Sequence, residues 1–443
     1  MLKRVCGISL GSFIATSGIA SNTEEQSSSN KRIKADILVV GGGTAGVIAA
    51  IQAARAGCHT ILVENGSQLG GTMTTGGVAF PGLFHAWGKQ VVAGIGWELV
   101  FEAAHLGNNA IPDFNVPTGR WHWKHQINLN PFLYALLAEE KCLEAGVDIR
   151  YYETPVKAVF KRNVWEVDVM GKGCNTRIQA NQVIDCTGNA FVAALAGFKV
   201  LREEETQPGS LRFRIDGYDI RNLDTKLIQT KYDEAVKNGQ LSRTEFKNII
   251  GFLQDKGNSA IMGADSTTSE THTLTNIKGR SSLMKMLRFL RTLPGCEKVN
   301  LVSMQPETAV RETYRIDGEY QITHEDYISG KVHKDSLSYS FYPIDLHDKN
   351  GVVPKHLREN IVATVPLRAL IPKKSRNFLV AGRCISSDRL ANSALRVQAS
   401  CMGMAQAAAI AAVIASKKGV SPLQVDSNEI KDLLRKYEAI IPE

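Results

Sequence analysis

The sequence has no close cysteine pair. Its eight cysteines (Cys6, Cys58, Cys142, Cys174, Cys186, Cys296, Cys384 and Cys401) form no CxxC, and no His/Cys cluster has zinc spacing. That excludes the common zinc modules and the iron–sulfur clusters built on grouped thiolates, so no metal is expected. Most of these cysteines have apolar neighbours and read as small buried hydrophobes, which leaves the redox compartment open. A block of like charge is also missing. The net charge of +8 is spread over 443 residues with no basic stripe interleaved with aromatics, which argues against nucleic acid as a partner. A diffuse positive excess suits small anionic substrates better. There is no internal repeat. The one long apolar run, Val397 to Ala415, is mostly Ala, Gly and Ser and carries Gln398 and Gln406. Small residues allow close packing, so it reads as a buried helix and not as a membrane span.

What remains is the composition of a globular protein, 44% hydrophobic and 22% charged, long enough for two or three lobes. At the N-terminus Lys3 and Arg4 precede a weakly apolar stretch, Val5 to Ala20, with small residues at Gly18 and Ala20. This fits a signal peptide over residues 1–20 and a polar linker over 21–32, hence export to the periplasm or medium. A Ser-rich terminus without a targeting role is the other reading, and it leaves the protein in the cytoplasm.

The chemistry begins at Gly41-Gly-Gly43-Thr-Ala-Gly46. An apolar β-branched run, Asp36–Val40, precedes it; Ala45–Ala56 is helix-forming with Gly57 as its stop; Thr60–Val63 is a second buried strand. A GxGxxG match alone is weak, but inside a strand–helix–strand unit that ends on an acid, Glu64, it is a dinucleotide fingerprint. Gly41 makes the tight turn, Gly43 leaves room for a pyrophosphate, and Gly46 lets helix and strand pack closely. The helix N-terminus offers free N–H groups to phosphate. Glu64 can accept from both ribose hydroxyls and would repel a 2′-phosphate, so NADP is disfavoured while FAD and NAD both stay open.

Further along, Pro131–Ala145 is amphipathic, Val156–Phe160 and Trp165–Val169 alternate like a meander, and Gln182–Cys186 is another buried strand. From about Leu201 to Asp345 the character changes: charged helices, a polar loop from Ser259 to Asn276 and a strand-like segment around Tyr320 point to a separate lobe. Phe378–Ala381 then returns as an apolar strand.

Leu69-Gly70-Gly71-Thr72-Met73 resembles the second glycine motif of two-motif flavoproteins of the glutathione-reductase-like superfamily. Ile184-Asp-Cys-Thr187-Gly188-Asn189 is similar to their strand end beside the dinucleotide, and Val380-Ala-Gly382-Arg383 with the following helix to their C-terminal flavin motif. Within that superfamily the chain is similar to the FAD-dependent oxidoreductase family. Val310-Arg311-Glu-Thr-Tyr314-Arg315-Ile-Asp-Gly318-Glu-Tyr320 resembles its RExRRIxGxY signature, and Tyr342-Pro-Ile-Asp345-Leu-His347 its YPIDIH-like strand. Tyr314 departs from the basic run, so no contact is carried over for it. The resemblance covers about Ile33 to Ala415 and implies FAD as cofactor. It implies contacts from Gly41, Gly43, Gly46, Glu64, Gly70, Gly71, Thr72, Thr187, Gly188, Gly382, Arg383, Gln398 and Ala399. Val156 either clamps the adenine through its backbone or is a core valine.

Dehydrogenation needs a base for the proton that accompanies the hydride. His347 beside Asp345 is the first candidate, the alternative being a histidine satisfied between lobes. His85, in the glycine-rich stretch Gly76–Gly88, is the second, with a covalent histidyl link as a variant. Arg311, Arg315 and Arg396 either bind a carboxylate or oxyanion or form ion pairs with Glu307, Glu312 and Asp317. Trp121-His-Trp-Lys-His125 either lines a pocket or is a satellite cluster.

The expected fold is α/β: a Rossmann-type FAD-binding domain with a parallel sheet, formed by residues 33–200 and 350–443, with an inserted α+β substrate lobe over 201–349. The expected function is an FAD-dependent dehydrogenase or oxidase taking a hydride from a small, hydroxylated or sugar-like substrate. The electron acceptor and oligomeric state are undetermined; no second fingerprint for NAD(P)H is present. The competing readings are a flavoprotein whose FAD is structural or non-redox and an NAD-dependent dehydrogenase.

Overall fold

The computed structural model describes residues 30–119, 121–348, 351–352 and 354–443. The expected signal segment, residues 1–20, lies outside the described residues.

Strand β1 (Asn30–Val40) leads through the glycine turn into α1 (Thr44–Arg55) and then β2 (Thr60–Glu64). The alternation of β1 sorts its side chains into two cores. Ile37 and Val39 face α1 and the long C-terminal helix, Gln398–Lys418, whereas Leu38 and Val40 join Trp165, Val167 and Val183 on the other face. All four are buried. A strand covered on both sides has to read as a continuous apolar run, and β1 does from Ile37 onward.

The sheet is completed by β3 (Asp148–Tyr151), β4 (Thr154–Lys161), β5 (Val164–Gly171) and β6 (Cys174–Asp185), in the order β3-β2-β1-β6-β5-β4. The inner pairs β3·β2, β2·β1 and β1·β6 are parallel; β6·β5 and β5·β4 are antiparallel. β6 has two partners beside β1. Cys174–Ala180 pairs with β5, and Val183–Asp185 pairs in parallel with Phe378–Val380, which returns from the far end of the chain. The ends of β1, β2, β6 and the Phe378 strand therefore lie together, at the carboxyl edge where open α/β sheets place ligands.

Helix Gln398–Lys418 is long and apolar enough to cross a membrane, but 89% of its most apolar stretch is buried inside the protein. Its alanines let it lie directly on α1, and each fully buried Val, Ile or Leu of this contact contributes about 1.5–3 kcal/mol.

A third core draws on Leu211 to Val299, around helices Thr225–Lys237, Ile249–Asp255 and Ser269–Leu290. Ile322, Tyr327, Leu337, Tyr342 and Ile344 belong instead to the core on the α1 side of the sheet, and Ile316 to the core on its other face, so the segment 201–349 divides among all three.

Two local expectations differ from the structure. The polar run Ser259–Asn276 is not a loop throughout: Ser259–Ile261 is a strand, and Ser269–Asn276 forms the first turns of the long helix. Thr268 caps that helix in a reciprocal box with Thr271, and Thr275 turns inward to bond Asp265, so polar residues serve the helix here. The segment around Tyr320 makes isolated bridges only, Gly318 to Pro372 and Ile322 to Ser387.

Candidate active site

A cavity of about 1040 Å³ opens at the carboxyl edge of the sheet and runs from the first glycine turn to the start of helix Ser269–Leu290. One end is backbone-lined. Gly41, Gly43 and Thr44 contribute from the first turn, Gly71 and Thr72 from the second motif, and Thr187 and Gly188 from the end of β6. A Cβ added at Gly46 would stand 1.8 Å from the Gly41 carbonyl oxygen, so Gly46 is what lets α1 start this close to the turn. At Gly43 a Cβ would meet only Gly71 Cα, at 3.9 Å, on the protein side. The missing side chain there leaves free space, as a phosphate cradle requires. α1 has no side-chain cap and no acidic residue in its first turn, which leaves its N–H groups available to an anion.

Glu64, at the end of β2, lines the same end. Its carboxylate accepts from Gly42 N and Gly66 N, both at 2.6 Å, and keeps further lone pairs for ribose hydroxyls. Burial pushes its pKa up, and those two N–H bonds oppose the shift. Thr187 and Gly188 are held in place by Asp185, whose buried carboxylate takes the Thr187 N–H, the Thr187 hydroxyl and the Ala193 N–H. The Gly188 carbonyl accepts from Arg383 Nε at 2.7 Å and from Thr313.

Past this point the lining becomes chemically mixed. Gln398, first residue of the core helix, donates to the Val78 carbonyl at 2.9 Å, while its Oε1 is buried without a partner. The helix has no side-chain cap, so its N–H groups and the orphaned oxygen fit a planar heterocycle that both accepts and donates. Glycine cradle, acid, helix N-terminus and orphaned amide together fit a flavin dinucleotide.

Further along stand Arg311, Tyr342, Asp345, His347 and Arg396, with His122 and Gln126 in hydrogen-bond contact with the Tyr342 hydroxyl and Trp123 next to them. His347 Nε2 lies 3.1 Å from Asp345 Oδ2. A carboxylate accepts only, so Nε2 carries the hydrogen and Nδ1 is left unprotonated. Burial lowers the His347 pKa, with Arg311 and Arg396 acting the same way and the Asp345 hydrogen bond opposing. Burial disfavours the Asp345 carboxylate, but the His347 hydrogen bond with the Arg396 and Arg311 charges outweighs it and holds its pKa below the usual range. A neutral, oriented imidazole in a cavity is poised to take up a proton.

The structure thus brings together at one cavity Gly41, Gly43, Glu64, Gly71, Thr72, Thr187, Gly188, Gly382, Arg383, Gln398, Arg311, Asp345 and His347. Gly46, Gly70 and Ala399 stand behind the lining as supports; the Ala399 N–H donates to the Pro81 carbonyl at 2.8 Å. Val156 is 45% exposed and outside the lining, although its neighbours Thr154 and Pro155 belong to it. His85 does not reach the cavity. Its ring stacks on Phe114 at 3.7 Å and touches Trp97 edge-on, and burial pushes its pKa down to about 4. Arg315 is held by Glu203 at 2.7 Å and by the Ser387 carbonyl, away from the lining. Of the tryptophan run, His122 and Trp123 line the cavity, and His122 Nε2 lies 3.3 Å from the Tyr342 hydroxyl.

Sequence reading missed Gln207 and Arg212. Gln207 Oε1 accepts the His347 backbone N–H at 3.0 Å from 140 residues away, a contact no local pattern announces. Arg212 lies over the Phe80 ring, 5.6 Å from its centroid, and both line the cavity.

The sequence model of the family described as FAD dependent oxidoreductase matches residues 36–434. No curated relative matches the sequence. Among solved structures the chain is similar to a geranylgeranyl bacteriochlorophyll reductase-like protein from Thermoplasma acidophilum, at 13% identity over 91% of this chain and 84% of that one, with a TM-score of 0.43. It is also similar to p-nitrophenol 4-monooxygenase from Pseudomonas putida, at 11% identity over 92% and 86%, with a TM-score of 0.40.

Proposed function

Because the chain belongs to the FAD-dependent oxidoreductase family, we propose that it dehydrogenates a small hydroxylated substrate, sugar-like in character, with His347 as the base. FAD is the cofactor, and when bound it supplies the acceptor for the hydride.

The chain's own residues carry the rest. The glycine turns and Glu64 would hold the dinucleotide, and Gln398 at the N-terminus of Gln398–Lys418 would hydrogen-bond its heterocycle. His347 takes the substrate hydroxyl proton at Nδ1 as the C–H bond gives up its electron pair. Asp345 fixes the tautomer and balances the positive charge that His347 gains. Tyr342, His122 and Trp123 wall the pocket beside the pair. Electrons then leave to oxygen, a quinone or a protein partner. The observation that carries this reading is the His347–Asp345 pair, set into the same cavity as the glycine cradle.

The test is a spectrum followed by anaerobic mixing. The purified protein should show flavin bands near ~370 and ~450 nm, which bleach when a panel of polyols and sugars includes the substrate class. With any active member, His347→Ala should slow single-turnover bleaching by about a hundredfold or more. Unchanged bleaching removes His347 from the role, and a colourless protein that cannot take up FAD removes the reading altogether.

A further inference from the structure

Most arginines around the cavity are already engaged. Arg383 donates to the Gly188 and Val310 carbonyls, Arg389 to Glu312 and the Glu205 carbonyl, and Arg315 to Glu203. Three that line it differ. Arg311 donates to one carbonyl, Pro208 at 2.5 Å, and has no carboxylate within ion-pair distance among the described residues. Arg396 spends one nitrogen, Nη2, on the Asp345 carbonyl at 3.2 Å and on the Asp345 carboxylate at 3.5 Å, and its Nε is buried with no acceptor. Its side chain is only 13% exposed. Arg212 has no ion pair among the described residues and rests on Phe80.

Arg311 feels both of the others. Burial first, with Arg396 and Arg212 acting the same way and Asp345 opposing, pushes the Arg311 pKa down to about 10. Against these three guanidiniums the inner cavity sets one carboxylate, Asp345, which is shared with His347. Glu307 also lines the cavity, but it faces His272 at the outer helix, 3.9 Å away. A buried guanidinium donor left without an acceptor is costly, about 1–3 kcal/mol.

We propose that Arg311 and Arg396 form the subsite for a carboxylate carried by the substrate, with Arg212 adding to the attraction. The substrate class is then a hydroxy acid of the sugar-acid kind, its carboxylate on the arginines and its oxidisable carbon beside His347. The inference rests on the cavity being the site of oxidation. Few donors are left over: Arg396 keeps its Nε, and Arg311 the nitrogens not committed to Pro208. That pattern fits a carboxylate better than the three oxygens of a phosphate.

The experiment uses the FAD-loaded protein and matched pairs: D-glucuronate with D-glucose, L-lactate with L-lactamide, and acetate with acetamide, plus inorganic phosphate. Binding is read by the shift of the flavin bands and by the thermal midpoint. At least one acid should bind about tenfold or more tightly than its neutral partner, since hydrogen bonds to charged groups are worth about 1.5–3 kcal/mol. Arg311→Gln and Arg396→Gln should each weaken that acid by about tenfold, and Arg311→Lys should recover only part, keeping charge but not the fork. Acids and neutral partners binding alike or not at all, phosphate binding more tightly than every acid, or variants of unchanged affinity would each overturn the proposal. The pairwise selectivity of the unmodified protein needs no variant to fold. A protein that holds no flavin overturns the oxidoreductase reading instead, and the thermal midpoint still reports on the carboxylate subsite.

Discussion

Glu64 and Gly42 are joined by a 2.6 Å hydrogen bond, from the Gly42 N–H to the carboxylate Oε2. It ties the end of β2 to the turn after β1 and holds the acid's orientation before any ribose arrives. Glu64→Gln keeps the shape but turns an NH₂ toward one of the two backbone donors, Gly42 or Gly66. FAD affinity should therefore fall by about tenfold, the value of one charge-assisted hydrogen bond. Fluorescence titration of the stripped protein with FAD measures it, and an unchanged affinity would take Glu64 out of the cofactor site.

Gly43 and Gly46 separate cofactor room from protein packing. Alanine at Gly46 sets a Cβ 1.8 Å from the Gly41 oxygen, whereas alanine at Gly43 meets nothing of the protein closer than 3.9 Å. In the FAD-free protein Gly46→Ala should cost about 1–3 kcal/mol by urea melting, the usual range for overpacking. Gly43→Ala should leave that melt unchanged and still abolish FAD retention. Equal melts for the two variants would contradict the close approach of α1 to the turn.

How much of this was legible follows from the range of each signal. The βαβ unit, the helix from Pro131, the meander of β4 and β5 and the strand at Phe378 were readable within a few residues, because each has its own local period. The glycine motifs were readable because a close approach leaves a residue-type signature. Gln207 and Arg212 were not. Both are ordinary polar residues near the middle of the chain, and their roles arise from contacts with His347 and Phe80, each more than a hundred residues away. His85 was misleading for the converse reason: the Gly76–Gly88 stretch does border the cavity through Val78, Phe80 and Gly82, yet the His85 ring turns away toward Phe114 and Trp97.

That placement of His85 has a consequence for acid stability. Its pKa in the fold is about 4, below the ordinary value of 6.5, because burial disfavours the imidazolium and His125 lies nearby. A histidine with a depressed pKa binds its proton more readily when unfolded. Stability should therefore fall as pH drops through about 6.5 and keep falling until about 4. His85→Phe should flatten that slope by up to one proton per molecule while the flavin stays bound and comes off intact on denaturation. An unchanged slope would place the acid sensitivity elsewhere, and a flavin that remains attached after denaturation would return His85 to the cofactor.

The Asp345–His347 pair makes the sharpest prediction about pH. A base works in its neutral form, and the His347 pKa is held below 6.5 by burial and by Arg311 and Arg396, against the Asp345 hydrogen bond. The acid limb of kcat/KM should thus lie below pH 6.5 in the unmodified protein. Asp345→Asn removes the one group that raises the His347 pKa and leaves the two arginines uncompensated, so the limb should move further toward acid. The rate on the plateau should fall by about tenfold or more, because the tautomer that leaves Nδ1 free is no longer enforced. A limb that shifts upward, or does not move, would mean that the titrating base is another group. A limb that moves toward acid over an unchanged plateau would leave Asp345 acting on the charge of His347 and not on its tautomer.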